Sequence, residues 1–176
     1  DLVFRLITQG KKVSVRGFEL NLPSSYLELE KCELDLTPSS DTAKILDYAT
    51  LDCRIAESYI APKDIAAFTP SLQYFKDVVS FRANISGSVD NLNISNLTLD
   101  YGEKLHLISN TEIKDIRDPE NMYILGSVDK LIVSSNEVEG IVNNLSKNKI
   151  HLPQELKKLG TISFEGDISG YLHQLT

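Results

Sequence analysis

The chain has 176 residues, 41% hydrophobic and 24% charged, the balance of a folded chain long enough to bury a core without staples. Its 18 Lys and Arg against 25 Asp and Glu leave a net charge of −7, and no basic run offsets it, so the overall field disfavours nucleic acid and anionic bilayer faces as partners. No stretch approaches ~18 consecutive apolar residues, so none reads as a membrane-spanning helix, and no signal peptide opens the chain.

Asp1 and Thr176 both fall inside strand-like patterns, which gives the expectation of a fragment of a longer protein. Between them, apolar and polar residues alternate, as in half-buried strands. Val13 and Val15 alternate, then Phe18, Leu20 and Leu22; Leu27 and Leu29, then Cys32, Leu34 and Leu36; then Leu51, Cys53 and Ile55. Phe81, Ala83 and Ile85 follow, then Leu92 and Ile94, Leu97, Leu99 and Tyr101, and Leu105 and Leu107. The stretch from Met122 to Val133 reads as strand with less clear facing, and Ile162, Phe164 and Ile168 close the series. Three runs change phase by a three-residue step: Val15 to Phe18, Leu29 to Cys32 and Ile94 to Leu97. Such a step moves the apolar set to the other face unless a bulge absorbs it. It fits three ordinary bulges or a curved sheet whose strands bend at similar heights. The glycines are expected at strand ends.

Two segments read as helices. Pro62 suits a first helical position, Asp64 favours the positive helix end, and Ile65, Phe68 and Leu72 follow at near-helical spacing until Pro70 ends or kinks the run. Ser134 with Glu137 forms a capping box, and Val138, Ile141, Val142 and Leu145 make one apolar stripe. Leu152-Pro153 reads as a loop entering a short helical turn. The expected class is mainly β, a strand-rich α+β chain with two short amphipathic helices on an elongated, curved antiparallel sheet of repeats.

The repeat rests on one pattern. Phe81-Arg82-Ala83-Asn84-Ile85-Ser86-Gly87 matches Phe164-Glu165-Gly166-Asp167-Ile168-Ser169-Gly170 as F-x-x-x-I-S-G, with Leu92 over Leu175 and a helix before each copy. This divides the chain into an N-terminal β segment (1–57), a first repeat (58–133) and a second, truncated repeat (134–176).

Three stretches carry a resemblance: Ser58 to Pro70 (SYIAPKDIAAFTP), Ile85 to Gly102 (ISGSVDNLNISNLTLDYG), and Leu152-Pro153-Gln154-Glu155-Leu156 leading to Gly170. Together they resemble the AsmA-like region of the TamB translocation and assembly module family in its Bacteroidota form. The resemblance covers Ser58 to the end; the first fifty residues match only in strand character. It implies a β-taco-like groove crossing the periplasm and a role in outer-membrane biogenesis, through phospholipid transport between membranes or outer-membrane protein assembly. It also implies an inner-membrane anchor and a BamA-like partner bound elsewhere in the full protein. The two helices depart from a plain groove; they could line it, plug it or back it.

Carrying acyl chains needs no catalytic group. Each CH₂ exposed to water costs about 0.8 kcal/mol, so two chains need shelter worth on the order of 20 kcal/mol. Candidate groove residues are Phe81, Ala83, Ile85, Leu97, Leu99, Tyr101, Leu105, Leu107, Ile162, Phe164 and Ile168. The plainer reading of the same residues is a closed core, giving a spacer or interaction module. No cofactor, metal or enzymatic role is expected. His106, His151 and His173 lie in no ligand pattern, and Asp115 with Asp118 reads as a turn. If the segments around 32–36 and 49–53 pair antiparallel, Leu36 faces Ala49, Leu34 faces Leu51 and Cys32 faces Cys53, leaving either a disulfide or adjacent thiols. Asn84, Asn93, Asn96 and Asn144 open N-x-S/T triplets that carry little weight, and Asp41-Thr42-Ala43 resembles an O-glycosylation pattern of that phylum.

Overall fold

The computed structural model describes residues 1–37, 49–65, 76–88, 90–118, 121–145 and 151–171. Nine strands, β1 (Leu2–Gln9), β2 (Lys12–Asn21), β3 (Tyr26–Asp35), β4 (Thr50–Ile60), β5 (Val79–Ser88), β6 (Leu92–Tyr101), β7 (Leu105–Lys114), β8 (Tyr123–Ser134) and β9 (Thr161–Tyr171), form one open antiparallel sheet in chain order. Three short helices accompany them rather than two: α1 (Pro62–Ile65), α2 (Ser135–Leu145) and α3 (Gln154–Lys157). The third is the turn after Pro153. Phe68, Pro70 and Leu72, with Thr42, His173 and Leu175, lie outside the described residues, as do the side chains of Val142 and Leu145.

Directly paired residues share a face, so the registers build rows across the sheet. Val15, Cys32, Cys53, Ile85, Ile94, Thr111, Gly126 and Ile168 form one row. Ser58, Phe81, Leu99, Leu107, Leu131 and Phe164 form another, and Ile60, Val79, Tyr101, Leu105, Val133 and Ile162 a third. All belong to one apolar face. The opposite face is charged, with pairs such as Lys31–Asp52, Arg54–Glu30 and Arg82–Glu57 at 3.0, 3.4 and 3.1 Å.

The three phase steps all fall at register shifts. Extra residues occur in β2, β3 and β6, and also in β4 between Ile55 and Ser58 and in β8 between Val128 and Leu131. All five lie between the Cys32 row and the Phe81 row, so the offsets form a band across the middle of the sheet. An extra residue bends its strand and raises the local twist while keeping the apolar set on one face. Gly17 (φ 57°) and Asn96 (φ 53°) take the left-handed backbone that two of these positions need. Gly17, Gly126 and Gly166 therefore sit within strands, not at their ends as expected. The β8 step went unread because its alternation runs through Gly126, and the β4 step because Ser58 continues the apolar set.

The helices occupy two connections at the same end of the sheet, β4 to β5 and β8 to β9. Pro62 opens α1 as its fixed φ predicts. Ser25 Oγ accepts from Ala61 N–H (2.9 Å) and donates to Asp64 Oδ2 (2.8 Å), which ties α1 to the β2–β3 turn. Ser135 Oγ donates to the Lys157 carbonyl (2.9 Å), closing the α2–α3 excursion at its base.

Leu34 opposes Leu51 and Cys32 opposes Cys53, the register the sequence predicts. The two cysteines are joined as a disulfide with their Cα atoms 4.0 Å apart. Reducing it, or a Cys32→Ser/Cys53→Ser double substitution, is expected to lower stability by about 2–4 kcal/mol in urea titration; an unchanged midpoint would contradict the closed loop. At the β5–β6 turn, a Cβ on Gly87 (φ 123°) would collide with the Asn91 carbonyl oxygen. Gly87→Ala should therefore destabilise by about 1–3 kcal/mol. Gly140→Ala, with open space inside α2, should stabilise by about 0.5–1 kcal/mol. Equal effects from these two substitutions would argue against the turn geometry.

Candidate functional site

Where α1 and α2 lie over the sheet, they partly cover an apolar cavity of about 410 Å³. It is lined by Ile60, Pro62, Ile65, Val79, Phe81, Leu99, Tyr101, Leu105, Leu107 and Ile141. The floor consists of members of two rows of the apolar face; Pro62 and Ile65 of α1 and Ile141 of α2 supply the cover. Among the described lining residues Tyr101 alone has a polar side-chain atom, and its hydroxyl accepts from Lys76 N–H at 3.2 Å. The described lining thus offers carbon and no directional partner. Such a space suits hydrocarbon, whose transfer from water depends on area rather than geometry.

Five expected groove residues, Phe81, Leu99, Tyr101, Leu105 and Leu107, line this cavity. Ala83, Ile85 and Leu97 continue the same face away from the helices, with Ala83 buried. Ile162, Phe164 and Ile168 lie on the same face at the β9 edge, outside the cavity, with Phe164 and Ile168 exposed. Ile60, Pro62, Ile65, Val79 and Ile141 complete the lining without having been singled out as groove residues. Their signals were present: Ile65 and Ile141 belong to the helical stripes, and Val79 precedes Phe81 in phase.

Charged contacts at the rim hold the cover. Lys104 Nζ, in the β6–β7 turn, lies 2.9 Å from Asp77 and 3.4 Å from Glu137 in the first turn of α2. The same ammonium sits 5.4 Å from the Tyr101 ring centroid, a cation–π distance. The hydrogen bond to Asp77 leads in raising the Lys104 pKa above its usual value. Farther along α2, Glu139 is held by Lys157 Nζ (2.6 Å), His151 Nδ1 (3.1 Å) and Leu152 N–H (3.3 Å). Lys157 first, then His151 and the Leu152 amide, pull the Glu139 carboxyl down to about 2.

Other polar groups lie elsewhere. His106 pairs with Asp100 across β6 and β7, Nδ1 to Oδ1 at 2.6 Å, on the charged face. Asp115 and Asp118 form a turn closed by Asn121, as read from the sequence. A larger depression of about 670 Å³ follows the bulge band on the charged face, where Arg54 and Arg82 are already paired with Glu30 and Glu57. Among the described residues no group of three or more His, Cys, Asp or Glu side chains could hold a metal ion, and no helix is long and apolar enough to cross a membrane. Comparison with known proteins finds no matching family, no matching curated protein and no matching solved structure.

Glu139 generates a pH prediction. Its folded-state pKa lies below the ordinary 4.5, so its contribution is present above that value and is lost as pH falls toward about 2. Chemical denaturation should show stability falling over this window. Glu139→Gln should show a smaller fall there and lower stability at neutral pH. Parallel pH profiles for the two proteins would mean that the α2–α3 clip is not formed.

Proposed function

We propose that this chain is a non-catalytic segment that shelters acyl chains of phospholipid on an apolar β surface, as part of a periplasmic TamB/AsmA-like protein in outer-membrane biogenesis. The observation that carries the reading is the helix-covered cavity whose described lining exposes only carbon, floored by two rows of the sheet's apolar face. An elongated, taco-like array of repeats agrees with the rows. Phe81 and Phe164 share one row, Ile85 and Ile168 a second, and Gly87 and Gly170 a third, so the two F-x-x-x-I-S-G copies occupy equivalent places four strands apart. The Cys32–Cys53 disulfide suits an oxidising compartment such as the periplasm. The outer-membrane assembly role and a BamA-like partner remain part of the proposal through the sequence resemblance alone.

A second reading has its own observation. The helices lie on the apolar face, and Ala83, Tyr101, Val128 and Val133 are buried there, as a closed spacer module requires. Native mass spectrometry after incubation with phosphatidylethanolamine vesicles separates the two. The lipid reading expects adducts of lipid mass on the folded chain, reduced about tenfold or more by Leu99→Asp or Leu107→Asp, with Phe164→Ser at the far edge as a milder control. Repeated absence of adducts from the wild-type chain would overturn it in favour of the spacer.

A further inference from the structure

The cavity between the helices and the sheet has a size and a charged end, and both restrict what it can hold. A dry protein void of ~150 Å³ lined by Leu, Ile and Phe takes one benzene, a ring of six carbons. At the same carbon density, the cavity of about 410 Å³ holds about sixteen carbons. That is one acyl chain; a two-chain phospholipid brings about twice as many carbons. A charged cluster stands at the β6–β7 end of the cavity. Tyr101 and Leu105 of the floor flank that turn, and Lys104 lies in it between them. Lys104 Nζ is 2.9 Å from Asp77, 3.4 Å from Glu137 and 5.4 Å from the Tyr101 ring centroid. The three charged side chains are 35–39% exposed, so they meet solvent beside a carbon surface. One ammonium against two carboxylates leaves this cluster with one negative charge in excess.

We propose that the cavity takes a single acyl chain, that of a monoacyl phospholipid whose zwitterionic head sits at the Lys104 cluster. This rests on the acyl-chain reading above and narrows it to one chain per segment. Two independent observations select the occupant. Volume sets the number of chains, since the carbon surface is matched by one chain and exceeded by two. Charge sets the head. The phosphate of a phosphoethanolamine head accepts from Lys104 Nζ, while its ammonium meets the carboxylates of Asp77 and Glu137. Each group of the cluster then gains a partner of opposite sign in exchange for the one it shares. A fatty-acid carboxylate or a phosphoglycerol head brings an anion and no cation to a cluster already in negative excess, and like charges brought together weaken binding. An apolar pocket of this size, with a few charged groups gathered at one end to fix orientation, has the build of a small-molecule site.

Native mass spectrometry titrations of the whole chain test this, using lysophosphatidylethanolamines with acyl chains of about ten to twenty carbons. The expected result is one lipid per protein, with affinity rising about fourfold for each added CH₂ up to about sixteen carbons and level beyond. Lysophosphatidylglycerol of the same chain length should bind about tenfold more weakly. Asp77→Asn combined with Glu137→Gln removes both negative charges and should reverse that preference, with circular dichroism confirming that the variant folds. Affinity that keeps climbing to the longest chain, two lipids per protein at saturation, or a head preference that the double substitution leaves unmoved would overturn the proposal. Binding of diacyl phosphatidylethanolamine without binding of the monoacyl lipid would overturn it and leave the acyl-chain reading standing. Binding of neither would overturn both.

Discussion

A single nine-stranded sheet has to hide one apolar face, and among the described residues only short helices are available to cover it. Among the described residues there is no second sheet, and the helices have 4, 11 and 4 residues. Among the described residues the buried hydrophobic set is small as a result: Ala49, Cys53, Ala61, Ala83, Tyr101, Val128 and Val133. Most larger aliphatic side chains on the apolar face are only partly covered. The largest fully buried side chains are Ser58 and Ser135. Ser58 Oγ donates to the Ala56 carbonyl and accepts from Glu28 N–H, while Ser135 Oγ bonds two carbonyls beyond α2. Where packing is thin, satisfied hydroxyls pin strand to strand and helix to loop.

The same shortage explains how the helices stay in place. A four-residue helix has no independent stability in water. α1 lies on the sheet because Ser24 and Ser25 hold Asp64, and Lys104 links the segment before β5 to the start of α2. Polar bonds from the turns carry what a thicker hydrophobic layer would otherwise provide. The cavity is the consequence: its cover is held at the rim rather than packed down across its width.

Much of the sheet was legible because a period of two leaves a clear trace in sequence. The alternations, the Leu34–Leu51 and Cys32–Cys53 register and three phase steps all follow from which residues must face inward. The bulges in β4 and β8 were hidden by Ser58 and Gly126, which break the apolar alphabet without breaking the geometry. The cavity floor could be read from the strands, but its cover could not, since Ile65 and Ile141 reveal a stripe and not what the stripe meets. The third helix was visible only as a turn after Pro153. Its attachment through Glu139 depends on a contact with Lys157, eighteen positions away, which no local pattern announces.

Strand order equal to chain order has a further consequence for how the molecule comes apart. Each strand meets only its predecessor and its successor, so cooperativity is passed along the sheet as in a one-dimensional chain of neighbours. The Cys32–Cys53 link joins strands three and four and divides this chain of neighbours unevenly. On one side, among the described residues, β1 and β2 carry no helix clip and no covalent cross-link to the rest. On the other, β5 to β8 lie beneath the helix clips, and local opening there has to release those clips first. Protection against hydrogen exchange is therefore expected to be graded along the sheet, greatest beneath the helix clips, and an applied force would meet a series of small barriers instead of one large one.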